Sequence, residues 1–214
     1  PGSIALWRDG EVIARACPPD QTNSAALLPS AQALLAEAGL NFSDLDGVAF
    51  GAGPGSFTGL RVACGVAQGL AFGRGLPLIG IGTLEAMALE SGGARVLVAL
   101  DARMCEVYFA CYAEGALQGL IGVYPPDQVP LPEGEGWLAC GNALAAYPQL
   151  RARLNSHVAV WRPEVMPSAA AVVRLAAPRL ARGEAVDPAE AAPLYVRDKV
   201  AKTVAERLAE GGKA

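Results

Sequence analysis

Gly51-Ala52-Gly53-Pro54-Gly55-Ser56-Phe57-Thr58-Gly59-Leu60-Arg61 is the stretch from which the rest of the chain can be read. It follows Gly47-Val48-Ala49-Phe50, a short apolar run of the kind that forms a buried strand, and precedes a small-residue segment predicted to be helical to about Phe72. A strand, a glycine-rich turn and a helix in direct succession mark an α/β unit. The glycines permit backbone conformations barred to other residues, and Ser56 or Thr58 can cap the helix. The loop is neither GxxxxGK[ST] nor GxGxxG and holds no lysine. It therefore reads either as a weak phosphate-binding candidate or as a tight turn that packs a helix onto a sheet.

Toward the N-terminus, apolar residues 3–7 and 11–14 flank Arg8-Asp9-Gly10, where Asp-Gly supplies the positive φ of a hairpin turn. Asn23 or Ser24 can cap a helix whose stripe runs through Leu27, Leu28, Ala31, Leu34, Leu35 and Ala38 until Gly39 ends it, with Pro29 placed near the first turn. Beyond the loop come a strand at residues 77–81 and a helix capped by Thr83. A second unit begins at Arg95. Val96-Leu97-Val98-Ala99-Leu100-Asp101 is a continuous apolar strand ending in an acid, followed by strands at 106–112 and 117–123 around a Glu114-Gly115 turn.

The first unit shows the last two of these three strands and nothing corresponding to Val96–Asp101, so the chain reads as an internal repeat whose first copy lacks its opening strand. A Pro-rich crossing loop (124–132), a strand at Trp137–Cys140, a long helix near 168–182 and an extended segment at 193–197 complete it. The expected division is a first subdomain over 1–94 and a smaller second one over 95–214, each with a mixed sheet and helices. Duplicated units of this kind suggest a ribonuclease-H-like fold, as in actin and sugar kinases.

Composition narrows the function. The 214 residues are 52% hydrophobic and 18% charged, and 42 Ala and 25 Gly imply close packing on small side chains, which excludes disorder and a collagen-like repeat. No apolar run reaches the ~18–20 residues of a membrane span, and Pro1-Gly2-Ser3-Ile4 lacks both a basic and an apolar leader region, so a cytoplasmic protein is expected. His157 is the single histidine, which removes HExxH and two-His metal sites and leaves a Ser-His-Asp or Cys-His hydrolase only that residue. Net charge is −4, but six arginines fall between Arg151 and Arg182 against the one acid Glu164, with Arg197, Lys199 and Lys202 further on, a pattern that either meets phosphates or covers a solvated face. Five cysteines without a CxxC pair suggest neither a disulfide framework nor a zinc ribbon. Cys64 falls on the helix after the loop, and Cys105 and Cys111, six apart on a strand, would stand ~20 Å from each other, so the thiols are expected to be structural or incidental.

Taken whole, Gly53-Pro54-Gly55-Ser56-Phe57-Thr58-Gly59-Leu60-Arg61 resembles the signature of the TsaB family, once called YeaZ. Residues 76–86 (LPLIGIGTLEA), Leu100-Asp101-Ala102-Arg103 with Glu106-Val107-Tyr108, and Pro193-Leu194-Tyr195-Val196-Arg197-Asp198 are similar to that family's further blocks in the same order. The resemblance implies a non-catalytic subunit of the machinery that makes N6-threonylcarbamoyladenosine at tRNA position 37. Its implied partners are TsaD, a paralogue that carries the transferase site, and TsaE, an ATPase. It implies no cofactor of its own, ATP and metal being handled by those partners, and contact with tRNA mainly through the complex. The family opens with a strand ending in Asp-Thr, the element that the repeat lacks here, and Asn23-Ser24 stands where His-Ser is usual. The HxxxH of TsaD has no counterpart, and of the acidic loops with which kinase-like folds grip ATP only Asp101 is present.

If the chain is not an enzyme, its function falls to its helices. Gly65, Gly69 and Gly73 recur every four residues with Ala63, Ala67 and Ala71 beside them, a ridge that lets another helix approach closely. That helix could be a partner's or the chain's own sheet could fill the role, and Leu27, Leu28, Leu34 and Leu35 face the same alternatives. The resemblance favours a shared interface with TsaD or with a second copy of the chain. Two other readings are a small-molecule kinase or ATPase, suggested by the fold, and a protease, a label once carried by the wider family.

Overall fold

The computed structural model describes residues 2–18 and 23–197. Strands β1 (Ser3–Arg8) and β2 (Glu11–Ala16) form the expected antiparallel hairpin, with Asp9 and Gly10 both at positive φ in the turn. Helix α1 (Asn23–Glu37) follows, ended by Gly39 at φ 70. Pro29 lies in its second turn, deeper than expected, where it leaves the Ala25 carbonyl without its helical donor. The side chains of Asn23 and Ser24, and residues Asp198, Lys199 and Lys202, fall outside those described.

Strand β3 (Val48–Gly53), helix α2 (Phe57–Arg74), strand β4 (Leu78–Gly82) and helix α3 (Thr83–Ser91) complete the first half, β3 and β4 being parallel neighbours. Thr83 is not the cap of α3. The cap position belongs to Gly82, and Thr83 is buried as the first helical residue. The second half contains β5 (Arg95–Asp101), β6 (Val107–Ala113), β7 (Ala116–Tyr124), β8 (Trp137–Cys140) and β9 (Val158–Arg162) in the spatial order β7-β6-β5-β8-β9. Short helices α4 (Ala143–Ala146) and α5 (Pro148–Leu154) cross between β8 and β9, and α6 (Ala169–Ala181) closes the described chain.

Strand β5 is covered on both faces, which is why its sequence is continuously apolar. Leu97 and Ala99 face Leu144, Leu150 and Leu154 of α4 and α5. Val96, Val98 and Leu100 face Leu84 and Met87 of α3. A helix of the first half thus packs on the sheet of the second. The reverse also holds: α6, expected to belong with residues 95–214, packs across β1, β2, β3 and β4, with Ala171 and Ala176 against Ile79 and Ile81. The two exchanged helices touch each other, joined by the Arg179–Glu85 ion pair, whose side chains are only 28% and 22% exposed. Ser168, the α6 cap, also donates from Oγ to Glu90 of α3 at 2.7 Å.

The repeat is visible in the sheets. In the second half β5 lies between β6 and β8, antiparallel to one and parallel to the other. In the first half the β1-β2 pair and the β3-β4 pair form two separate two-stranded sheets, with no strand between them among the described residues.

Because a hydrogen bond to a charged partner is worth ~1.5–3 kcal/mol when sheltered, Arg179→Met is expected to lower the unfolding free energy by about that amount. Urea denaturation checks the loss. Faster amide exchange in α3 as well as α6 would distinguish the cross-link from a local effect.

Candidate functional site

The glycine-rich loop is a clasp. Ser56 caps α2, its Oγ accepting from the Gly59 amide at 3.2 Å, whereas Thr58 lies exposed inside the helix. Gly53 has φ +116, and a Cβ there would stand 2.8 Å from the Leu194 carbonyl oxygen and 3.0 Å from the Leu60 side chain. That crowding exists because the Leu194 amide donates to the Ala52 carbonyl at 2.7 Å, bringing the extended 193–197 segment alongside the loop. Tyr195 then packs 6.1 Å from the Phe57 ring, while the Arg61 guanidinium lies 3.9 Å over Phe57 and its Nε donates to the Tyr195 hydroxyl at 3.2 Å. Gly53 is also the register partner of Gly82, and Arg197 forms an ion pair with Glu106. All four sequence blocks therefore meet in one seam between the halves, a convergence that no spacing along the chain revealed.

Asp101, at the end of β5, is fully engaged on its own side of that seam. Its carboxylate accepts from the Tyr147 hydroxyl at 2.8 Å and the Arg103 amide at 2.9 Å, and its amide donates to Asn142 Oδ1 at 2.9 Å. Burial, and then the bond to Asp101, push the Tyr147 phenol up to about 12, so it remains a proton donor at neutral pH. The following residues Arg103, Met104 and Cys105 all take positive φ. Cys105 thus sits in a tight left-handed turn and not on the strand with Cys111, because the chain must reverse between Asp101 and Val107, which are register partners.

The helices divide their small and large residues by face. Gly65, Gly69 and Gly73 are exposed, and a Cβ at any of them would meet nothing within 4 Å. Ala67 and Ala71 point the other way, into the core with Phe50 and Leu78. Phe72 is 75% exposed beside the glycines. On α1, Leu28 is exposed and Leu27 half-buried. Leu34 and Leu35 depart from their expected place on an outer surface: both are buried against Leu6 and the hairpin, which has too little apolar surface of its own to form a core without them.

Other candidates are accounted for within the chain. His157 Nδ1 donates to the Gly134 carbonyl at 2.9 Å. Five of the six arginines in the basic stretch are engaged within the chain: Arg151 stacks on Trp161, Arg153 bonds the Val129 carbonyl, Arg162 bonds the Ser91 carbonyl, and Arg179 and Arg182 pair with Glu85 and Glu184, while Arg174 is exposed on α6. Burial pushes the Cys111 thiol up to about 11 and the Cys140 thiol to about 12, which keeps both protonated at neutral pH. Among the described residues no cluster of three or more His, Cys, Asp or Glu could hold a metal ion, and no helix is long and apolar enough to cross a membrane.

Comparison with known proteins places this geometry. The family model for TsaD, tRNA N6-adenosine threonylcarbamoyltransferase, matches residues 20–122. The tRNA threonylcarbamoyladenosine biosynthesis protein TsaB of Escherichia coli K12 is 38% identical, over 93% of this chain and 91% of its own length. Its Haemophilus influenzae namesake is 33% identical, over 92% and 89%. A crystal structure of a Pseudomonas aeruginosa protein described as similar to the peptidase YeaZ superposes with a TM-score of 0.81 at 36% identity, covering 91% of this chain and 94% of that one.

Two outcomes follow from the site. Gly53→Ala forces a positive-φ alanine against the Leu194 carbonyl and is expected to cost about 1–3 kcal/mol in urea denaturation, with faster exchange of the Leu194 amide as its local sign. Cys105 is the one exposed thiol of the five, so a disulfide reagent should titrate one cysteine rapidly in the folded chain and all five after denaturation. Rapid reaction of two or more in the folded chain would contradict this burial pattern.

Proposed function

The chain belongs to the TsaB family, and from that premise we propose that it is a non-catalytic subunit of the assembly that makes N6-threonylcarbamoyladenosine at position 37 of tRNA. Its role lies in tRNA modification. In this reading the outer face of α2 docks a TsaD paralogue that carries the transferase site, and TsaE joins that pair. ATP and metal are held by those partners, and tRNA is met mainly through the complex. A second copy of the chain can take the same face when TsaD is absent.

One observation carries the reading: Gly65, Gly69 and Gly73 of α2 point outward and leave open backbone beside the exposed Phe72 and, on the neighbouring helix, Leu28. An exposed helix gains ~0.5–1 kcal/mol wherever Ala replaces Gly, so three outward glycines at one spacing are a penalty to the isolated chain. A partner helix that needs the space offsets that penalty through close dispersion contact.

The groups that a kinase would aim at phosphate and metal support a non-catalytic role. The helix N-terminus at the loop is capped by Ser56, Arg61 is committed to Phe57 and Tyr195, and Asp101 to Tyr147 and Arg103. The peptidase likeness of the Pseudomonas protein makes proteolysis the second reading, and a Ser-His or Cys-His mechanism would have to use His157, whose Nδ1 donates to the Gly134 carbonyl. Incubation of the purified chain with ATP and with unfolded protein substrates is the direct control, and turnover of either would displace the scaffold reading.

Gly69→Leu separates interface from core. It adds a branched side chain where the isolated chain has room, so melting should be unchanged or slightly raised. Overpacking of an interface costs ~1–3 kcal/mol, so TsaD binding should weaken roughly ten- to a hundredfold, with a matching loss of tRNA modification. Leu34→Asp is the contrasting variant: it buries a charge beside Leu6 and should unfold the chain itself. Unchanged TsaD affinity in folded Gly69→Leu would place the interface elsewhere.

A further inference from the structure

The seam between the halves carries exposed side chains that its own packing does not use up. Phe57 at the start of α2, Tyr195 on the extended segment and Met104 in the left-handed turn leave 41%, 48% and 51% of their surfaces open. A contact that served only to join the halves would bury them. They form one line. Tyr195 and Arg197 stand two apart on extended chain and so share a side, and Arg197 Nη1 donates to the Met104 sulfur at 3.5 Å. The Phe57 and Tyr195 rings are tilted 40° to each other with centroids 6.1 Å apart, so neither covers the face of the other. Arg61 braces the pair, its guanidinium 3.9 Å from the Phe57 centroid and its Nε bonded to the Tyr195 hydroxyl. Arg61 is exposed and has no carboxylate partner among the described residues. Beside Met104, the Arg103 side chain is 88% exposed and only loosely held by Asp101 at 3.7 Å.

Open aromatic faces with exposed guanidinium groups beside them are the means by which single-stranded RNA is held, since splayed bases stack on rings while cations meet the phosphates between them. The chain carries a net charge of −4, so long-range attraction to RNA is not available to it and such a contact is local and led by stacking. Position along α2 says where the RNA lies. Phe57 and Arg61 continue at the same four-residue spacing into Gly65, Gly69 and Gly73, and Arg61 stands only ~6 Å along the helix axis from Gly65. A partner docked on the glycines therefore borders the patch. Resting on the scaffold reading above, we propose that Phe57, Tyr195 and Arg103 form a binding surface for the single-stranded anticodon loop of the tRNA, with bases stacked on the two rings and a phosphate on Arg103. Arg61 is a positioning residue that fixes the rings. TsaD on α2 then holds the base to be modified, and this chain grips the unstacked strand beside it.

The test assembles this chain with the proposed TsaD partner and titrates the pair against a fluorescein-labelled RNA hairpin whose loop is the anticodon loop with adenosine at position 37, read by anisotropy. Tyr195→Leu keeps bulk against Phe57 and removes the ring, and it is expected to weaken hairpin binding roughly fivefold to a hundredfold, the range for loss of one stacked base. Tyr195→Phe keeps the ring and should bind as the parent does. Arg103→Gln should flatten the slope of log Kd against log salt concentration by about 0.7, the share of one phosphate contact on a single strand. Melting and TsaD association should match the parent in all three variants. The proposal is overturned if folded Tyr195→Leu holds the hairpin as the parent does, if Tyr195→Phe loses as much as Tyr195→Leu, or if Arg103→Gln leaves the slope unchanged. Weaker TsaD association in Tyr195→Leu overturns it as well, the patch then being a protein contact. A parent pair that forms without binding the hairpin overturns this surface alone, whereas failure of the pair to form removes the scaffold reading and this inference with it.

Discussion

The exchange of α3 and α6 between the halves is the constraint on which the remaining structure rests. Each helix lies on the sheet of the other half, and the two meet at the Arg179–Glu85 pair. Leu84 and Met87 are fully buried against the second sheet, and burial of such a side chain is worth ~1.5–3 kcal/mol, so neither half retains its core if pulled from the other. The seam between the halves is consequently fixed. Clasp, tail segment and left-handed turn can then be held in register by single hydrogen bonds.

That arrangement explains why sequence blocks far apart in the chain share one location. Gly53 must lack a side chain because Leu194 passes over it, and Leu194 is placed by the chain leaving α6, which is itself placed by the exchange. Arg61, Tyr195, Arg197 and Glu106 extend the same line across the halves. The loop resembles a phosphate cradle in composition, yet its helix is capped by Ser56 and its arginine and neighbouring carboxylate are bonded within the chain. On α2, by contrast, Phe72 and the open backbone of Gly65, Gly69 and Gly73 remain outward.

Where the physics was local, the sequence was legible. Asp9-Gly10 announced the hairpin, Gly39 the end of α1, Ser56 a helix cap, and the unbroken run from Val96 to Leu100 a strand covered on both faces. The first half was read as lacking a counterpart of that run, and its described strands form two separate pairs. Features decided by distant contacts were not legible. Strand β9 has exposed Ala159 and Val160 and carries no alternation strong enough to read, while α4 and α5 are too short to show a helical period. Leu34 and Leu35 fit either an inner or an outer face, and only the proximity of the hairpin turns them inward. The assignment of α6 failed for the same reason, since nothing within residues 169–181 records which half it will cover.

The central claim is that the outward glycine face of α2 is the surface through which this chain works. Hydrogen exchange of the chain alone and saturated with the proposed TsaD partner tests it most directly. The account predicts slowed exchange concentrated on the outer face of α2 from Gly65 to Gly73 and on neighbouring α1 around Leu28, with the 53–61 clasp and the Asp101 turn unchanged. Slowing confined to the seam or to the segment from Arg151 to Arg182, with α2 exchanging as in the free chain, would contradict it.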